Sequence, residues 1–333
     1  MYLFIINDTH IGVQRSAGTT PVTAWNLRQS VLAQFGRLVG SADRDLMILG
    51  DLFDAGSIPR ADFLATFEIL HRWLSSTPLT LFLVAGNHDL PKTSTNLSDF
   101  QLLGKLLESL HQNVEVIEQP TLTSHGYVIP HLPNQDLFDQ ALANVPPCDV
   151  AYMHCNFDNN FAAQSDQSLN LSAEQAAACP AKSIVIAHEH QTRRVGKVWI
   201  PGNQIVTSVA DCLGSKVKQF TVVEGGQPRF ERLLDIPDVF LELPWTDLSE
   251  VPQPFIRVTG TVPAESAGDV VSAISSYRKA SSAFVITNAV KILAEDGKEV
   301  FARSLESIKA FDVMAALKEF LSAEEFAVVA RLK

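Results

Sequence analysis

Five short segments rich in Asp, Asn and His each follow an apolar stretch in the first 190 residues. Side chains of these types bind divalent cations and transfer protons. Because ligands bind at the carboxyl ends of strands in open α/β sheets, five strands that end in this way would surround one crevice. The segments are NDTH (Asn7–His10), GDLFD (Gly50–Asp54), GNHD (Gly86–Asp89), MHCN (Met153–Asn156) and AHEH (Ala187–His190).

Two of the segments carry paired ligand types. Asp8 and His10 are two residues apart, as are His188 and His190. In extended backbone such residues point the same way, so we expect each pair to present two ligands to one centre. The full set of candidate metal ligands is Asp8, His10, Asp51, Asn87, His154, His188 and His190.

The number and type of these ligands indicate the kind of metal site. Asp51 and Asn87 are separated by one predicted strand–helix–strand unit, which places them on neighbouring strands. Seven mixed N and O ligands are too many for one tetrahedral zinc site. They suit two divalent metals about 3.5–4 Å apart, which share a bridging carboxylate, bind a phosphate and activate a water. The donor types fit Mn, Fe or Zn better than Ca.

Each segment taken alone has an ordinary structural interpretation. An Asp after a strand often caps a helix. GNHD can be a simple tight turn, and a single His at a strand end is commonly a hydrogen-bonded structural residue. The structural interpretation weakens because all five segments occur in order, each after an apolar strand.

Alternating strand and helix patterns in the first 200 residues predict a layered α/β fold. The strands are uniformly apolar, as expected for strands buried on both faces. They are predicted at Tyr2–Asn7, Asp45–Leu49, Leu79–Val84, Val150–His154 and Ser183–Ala187. Amphipathic helices are predicted at Val22–Val39, Arg60–Ser75 and Ser98–Leu110.

The later sequence predicts three parts: a main domain over 1–245, a small α/β domain over 250–300 and a helical segment over 301–333. Short strands at Trp199–Pro201, Ile205–Val209 and Gln219–Val223 are expected to close a second sheet. The Pro-rich stretch Leu241–Pro254 suggests a boundary. It is followed by a predicted strand (Phe255–Val262), helix (Ala267–Arg278) and strand (Ala283–Leu293), and two amphipathic helices are expected within Ile308–Leu332.

Composition restricts the class of protein. The 333 residues are 46% hydrophobic and 19% charged, which is typical of a globular chain. No apolar run reaches the length of a membrane span, and the four cysteines form no CxxC pair, so we expect free thiols and a cytoplasmic protein. The net charge of −11 argues against a broad basic face, but does not exclude DNA as a substrate of a carboxylate-rich metal site.

Read together, the five segments resemble the calcineurin-like metallophosphoesterases, whose pattern is DxH, GDxxD, GNH(D/E), H and GHxH. The pattern covers roughly 1–191. This chain departs from it at Ala187, where the family has Gly, and at Asn7, where Ser or Gly is common. The resemblance implies a two-sheet layered sandwich flanked by helices, with a small α/β capping domain and C-terminal helices.

The resemblance also implies a role for each residue. The first metal ion would be held by Asp8, His10 and His190, and the second by Asn87, His154 and His188. Asp51 would bridge the two. His88 would face the scissile phosphate and assist the leaving group, oriented by Asp54.

Three weaker segments resemble the SbcD-type DNA repair nucleases and their phage counterparts. They are THIGVQ (Thr9–Gln14), VIPHLPNQ (Val128–Gln135, with His131 where Tyr is common) and IPGNQIVTSVAD (Ile200–Asp211). This resemblance implies a Mn²⁺-dependent nuclease subunit, with Fe, Zn or Mg as other candidate metals. It would form a homodimer, act on DNA ends and dock through its C-terminal helices on an SbcC-like coiled-coil ATPase, in bacterial cytoplasm or a phage-infected cell.

Basic residues near the motifs are candidates for DNA phosphate contacts, the alternative being a solvated surface. They are Arg15, Arg193, Arg194, Lys197, Lys216 and Lys218. For the whole protein, two alternatives to a DNA nuclease stay open. One is a small-molecule phosphatase or cyclic-nucleotide phosphodiesterase with the same metal core. The other is a mainly architectural subunit that tethers DNA ends.

Overall fold

Two six-stranded sheets form the centre of the protein in the part of the chain that the computed structural model describes, residues 2–13, 20–91, 96–159 and 168–293. The first sheet has the spatial order β14 (Gln227–Asp235), β13 (Val217–Glu224), β1 (Tyr2–Ile6), β2 (Asp45–Leu49), β3 (Leu81–Val84) and β4 (Val114–Ile117). The second has the order β11 (Arg193–Val195), β12 (Val198–Ile200), β10 (Ser183–Ala187), β7 (Val150–His154), β6 (Gly126–Ile129) and β5 (Thr121–Thr123).

Helices cover the outer face of each sheet. The helices of the first sheet are α1 (Pro21–Ser41), α2 (Arg60–Ser76) and α3 (Asp99–Leu110), and those of the second are α4 (Gln135–Ala143) and α5 (Ala173–Ala178). Thr20 and Ser98 begin α1 and α3 with capping boxes, in which side chain and backbone groups satisfy each other. The three predicted helices are therefore confirmed to within two residues.

The central strands are uniformly apolar because both of their faces are buried. In β1, Phe4 and Ile6 pack against helices, whereas Leu3 and Ile5 pack into the layer between the two sheets. The same alternation runs through β2, β7 and β10. The result is an α/β/β/α sandwich, which confirms the predicted fold class.

The segment Ile205–Val209 is irregular, so the strand predicted there is wrong. Its backbone N–H groups bind a side chain: Thr207 and Ser208 both donate to Asp211 Oδ2, at 2.8 Å each. The strand predicted at Gln219–Val223 exists, as β13, but it pairs antiparallel with β1 in the first sheet and not in the second.

A third, smaller sheet lies C-terminal to the sandwich strands. It consists of the parallel strands β15 (Phe240–Pro244), β16 (Phe255–Thr259) and β18 (Val285–Asn288), with helix α6 (Ala267–Ala280) between the last two. Two short ribbons complete the strands: β8 (Asn156–Phe157) with β9 (Asn170–Leu171), and β17 (Thr261–Pro263) with β19 (Lys291–Leu293). The unit of β15, β16, β18 and α6 has its own apolar core, which includes Ile256, Val258 and Ile274.

The βαβ pattern predicted for this region is thus present. The sheet has one strand more than expected, because β15 overlaps the stretch Leu241–Pro254 that was interpreted as a boundary. The predicted C-terminal helices lie outside the described residues. Within the described ranges, no helix combines the length and apolar character that crossing a membrane requires, and all four cysteines are unpaired.

Candidate metal centre

Five strand ends bring the candidate ligands together. In the first sheet, neighbouring strands β1, β2 and β3 lead into Asp8–His10, Asp51 and Asn87. In the second sheet, neighbouring strands β7 and β10 lead into His154 and into His188–His190. The two sheets face each other across an apolar layer. The carboxyl ends of these strands therefore supply ligands from both sides of one site.

The backbone at these ligands is strained. Asp8, His10, Asp51 and His188 have φ values of 50°, 47°, 49° and 97°. Positive φ costs a residue other than Gly about 1–3 kcal/mol and persists only where the surroundings enforce it. The expectation that Asp8 and His10 converge through extended backbone is therefore wrong. They converge because the chain turns into the left-handed region.

Two glycines are required by close approach. A Cβ on Gly50 would lie 2.0 Å from His154 Nδ1, and a Cβ on Gly86 would lie 2.2 Å from Asp51 N. No side chain can be accommodated at such distances. The Gly that precedes Asp51 and the Gly that precedes Asn87 thus let the two loops meet the ligands of other strands.

The first group of donor atoms consists of Asp8, His10 and His190. The Nε2 atoms of His10 and His190 lie 3.1 Å apart, and ligand atoms of all three residues lie within 4.8 Å of one another. The Asp8 carboxylate is fully buried and accepts from the main-chain N–H of His188 at 3.0 Å. Asp51 Oδ2 is 3.9 Å from His10 Nε2.

The second group consists of Asn87, His154 and His188. Asn87 Oδ1 lies 3.0 Å from both His154 Nε2 and His188 Nδ1. Asp51 Oδ2 is 3.5 Å from His154 Nε2. Asp51 therefore faces both groups, as a bridging carboxylate requires.

The hydrogen bonds of the histidine rings show why these two groups of ligands fit a cation. The Nδ1–H of His154 donates to Leu49 O at 3.4 Å, and the Nδ1–H of His190 donates to Asp211 Oδ1 at 2.7 Å. When these rings are neutral, their Nε2 atoms carry lone pairs, and these point at other electron-pair donors such as Asn87 Oδ1. Buried lone pairs that converge in this way are costly unless a cation or proton lies between them.

Burial and neighbouring charges shift the pKa values at the centre in opposite directions. Burial favours the neutral form of Asp51, but His154, His10 and His88 hold the pKa of its carboxyl group well below the usual value. Burial opposes protonation of His154, yet Asp51 raises the pKa of that imidazole to about 9. A cation bound at His154 would therefore have to displace a proton.

His88 lies beside the first group and is held by two backbone contacts. Its main-chain N–H donates to Asp51 Oδ1 at 2.9 Å, and its Nδ1–H donates to the main-chain carbonyl of Asp54 at 2.8 Å. The Asp54 carboxylate lies 3.5 Å from His10 Nδ1 instead. Asp54 thus contacts His88 through its carbonyl oxygen.

Two buried carboxylates that were not among the candidate site residues support the centre. Asp211 Oδ1 accepts from His190, while three donors from Thr207 and Ser208 fix Oδ2. Asp89 accepts from the main-chain N–H groups of 52, 53 and 86, which ties the loop of Asp51 to that of Asn87. Burial, followed by the charge of Asp51, raises the pKa of Asp89 to about 7. Only the D of GNHD hinted at this role of Asp89.

The candidate DNA-contacting residues mostly have partners within the protein. Arg193 binds both carboxylate oxygens of Glu189 and the carbonyl of Phe157. The guanidinium of Arg194 lies 3.8 Å from the ring centroid of Trp199.

Lys197 donates to the carbonyls of 177, 179 and 181, near the end of α5. Lys218 is only 1% exposed and binds Asn203 Oδ1 and His190 O, so its interpretation as a DNA contact is wrong. Arg15 lies outside the described residues. The roles of Arg15, Arg193, Arg194, Lys197 and the exposed Lys216 towards DNA stay predictions.

Residues 1–192 match the model of the calcineurin-like phosphoesterase family. The chain belongs to this family. It is therefore a phosphoesterase of a metal-dependent family, and its clustered Asp and His residues fit divalent cations. No curated protein matches the chain.

Three solved structures are similar to this calcineurin-like chain at low identity. An archaeal phosphodiesterase is 13% identical (TM-score 0.34), with 70% of this chain and 100% of that chain covered. The protein TT1561 of Thermus thermophilus is 14% identical (TM-score 0.40), with 69% and 98% covered. The nuclease MPE of Pseudomonas putida is 21% identical (TM-score 0.26), with 46% and 60% covered.

The contact between Asp211 and His190 predicts an effect on metal affinity. We expect Asp211→Asn to lower the affinity for Mn²⁺ roughly 10- to 100-fold, because the ring loses the carboxylate that fixes its tautomer and raises its basicity. Calorimetric titration of the metal-free protein measures this. The exposed Asp43→Asn serves as the matched control, and equal affinity of the two variants would contradict the role of Asp211.

Proposed function

We propose that this protein hydrolyses phosphodiester bonds at a centre of two divalent cations, and that DNA is its substrate. The observation that carries the proposal is the convergence of seven N and O ligands into two groups that share Asp51. In this arrangement the first cation would be held by Asp8, His10, Asp51 and His190, and the second by Asp51, Asn87, His154 and His188.

The chemistry divides between the cations and the side chains. When bound, the cations supply positive charge to phosphate oxygens and lower the pKa of water. His88 is the proposed proton donor to the leaving oxygen, because the hydrogen bond from its Nδ1–H to Asp54 O holds the ring beside the first group of ligands. Its ring lies at 85° to that of His10, with centroids 5.0 Å apart. The imidazole is therefore fixed beside the first group of ligands.

The choice of DNA rests on sequence segments outside the family pattern. Val128–Gln135 and Ile200–Asp211 resemble those of the SbcD-type nucleases. On this basis we propose an SbcCD-like role at DNA ends, with Mn²⁺ as the metal, a homodimer and an SbcC-like ATPase partner. The sheet of β15, β16 and β18 would belong to the capping domain, and the segment 301–333 would dock on the ATPase.

Metal-dependent DNA cleavage is the direct test. We expect EDTA to abolish cleavage of linear DNA and Mn²⁺ to restore it. The two cleavage rates should differ by at least roughly 100-fold, because cations that neutralise the developing charge lower the free energy of the transition state by several kcal/mol. Asp8→Asn should be inactive, whereas the exposed Asp43→Asn should cleave like the wild type. Single- and double-stranded substrates are compared with and without the ATPase partner.

The outcomes separate the alternatives. Turnover of cyclic nucleotides or other small esters, with every form of DNA left intact, would replace DNA by a small-molecule substrate. Failure to hydrolyse any phosphoester with Mn²⁺, Fe²⁺, Zn²⁺ or Mg²⁺ would contradict the enzymatic proposal and leave the architectural role.

The role of His88 is tested by varying the leaving group. We expect His88→Ala to slow DNA cleavage roughly 10²- to 10⁴-fold, because an alkoxide needs a proton to depart. Hydrolysis of the p-nitrophenyl ester of thymidine 5′-phosphate should fall much less, since nitrophenolate leaves without one. His111→Ala, outside the site, is the control. Equal losses on both substrates would show that His88 is not the proton donor.

A further inference from the structure

Three neighbouring strands of the second sheet each lead into a histidine. β10 leads into His188 and β7 ends at His154, both candidate ligands. β6, the next strand in the sheet, pairs in parallel with β7 through Ile129 and Met153 and leads into His131. The sheet therefore delivers a third imidazole to the same carboxyl edge, and this one is not among the candidate metal ligands.

The backbone of His131 is held against the first sheet. Its main-chain N–H donates to Ala85 O at 2.9 Å, directly before the loop of Asn87. The flanking residues Pro130 and Leu132 are buried, whereas His131 itself is partly exposed. This places the residue at the junction of the two sheets.

The imidazole of His131 lies beside the second group of ligands. Its ring is at 87° to that of His154, with centroids 6.4 Å apart. Within the described ranges, no protein group forms a hydrogen bond with either of its ring nitrogens. A polar ring at the edge of a ligand cluster, with no hydrogen-bond partner among the described residues, can bind a substrate atom.

We propose that His131 is a further substrate-contacting residue, which donates a hydrogen bond to an oxygen of the phosphoryl group being hydrolysed. The inference rests on the proposed function. His88 lies beside His10 and His131 beside His154, so the two imidazoles flank the donor atoms from opposite groups. His131 binds the phosphoryl oxygen, whereas His88 serves the leaving oxygen.

Matched substitutions isolate the hydrogen bond from the shape of the ring. Tyr and Phe differ by one hydroxyl group, and Asn and Leu have similar volumes, so each pair compares a hydrogen-bonding residue with an apolar one. We expect His131→Phe to lower kcat/KM for the p-nitrophenyl ester of thymidine 5′-phosphate roughly 10- to 100-fold, because a donor to a developing charge is lost. His131→Tyr should have a kcat/KM well above that of His131→Phe. In the second pair, His131→Asn should likewise have a higher kcat/KM than His131→Leu.

Measurements of phosphate inhibition and of metal binding and stability distinguish substrate contact from a structural role. Inhibition by inorganic phosphate should weaken about 10-fold in His131→Phe, while the stoichiometry and affinity of Mn²⁺ binding and the Tm stay at wild-type values. His111→Phe, which replaces a half-buried histidine that contacts His71, is the control and should match the wild type in every measurement.

The inference is overturned if both apolar variants retain wild-type kcat/KM and phosphate inhibition. It is also overturned if the loss follows reduced Mn²⁺ binding, or if Tyr and Asn are no better than Phe and Leu. Should the wild type hydrolyse no phosphodiester with any metal, the proposed function fails and this inference with it. A wild type that is active, with apolar variants equal to it, removes only the role of His131.

Discussion

The constraint on which this structure depends is the burial of many electron-pair donors in one place. Asp8 and Asp51 are at most 1% exposed and His154 is fully buried, and their ligand atoms lie beside Asn87 Oδ1 and other imidazole nitrogens. Without positive charge between them, these atoms would repel one another and lose their solvation. Burial is tolerated because protons or divalent cations supply that charge.

Much of the surrounding structure keeps these ligand side chains close together. Four of them keep a positive φ, and two glycines let loops approach within distances that no Cβ allows. Buried Asp89 and Asp211 fix the loop of Asp51 and the ring of His190 through networks of N–H donors. The metal centre is thus prepared by the fold, and the cost of strain is offset by the packing of two sheets on each other.

The sequence predicted the parts of this arrangement that depend on local pattern. Uniformly apolar strands predicted the layered α/β fold, because each strand is buried on both faces. The polar residues at the strand ends supplied the seven candidate ligands, whereas the two-sheet sandwich was implied by the family resemblance. The sequence did not predict the backbone conformation at Asp8 and His10, which long-range contacts impose. Ile205–Val209 was misread as a strand for the same reason, since its N–H groups are satisfied by the side chain of Asp211 and not by a neighbouring strand.

The proposal of two cations is tested most directly by anomalous diffraction from crystals grown with Mn²⁺. The account predicts two strong peaks about 3.5–4 Å apart. One should lie between His10 and His190 and the other between His154 and His188, with Asp51 bound to both. A single peak, or none within reach of these residues, would contradict it.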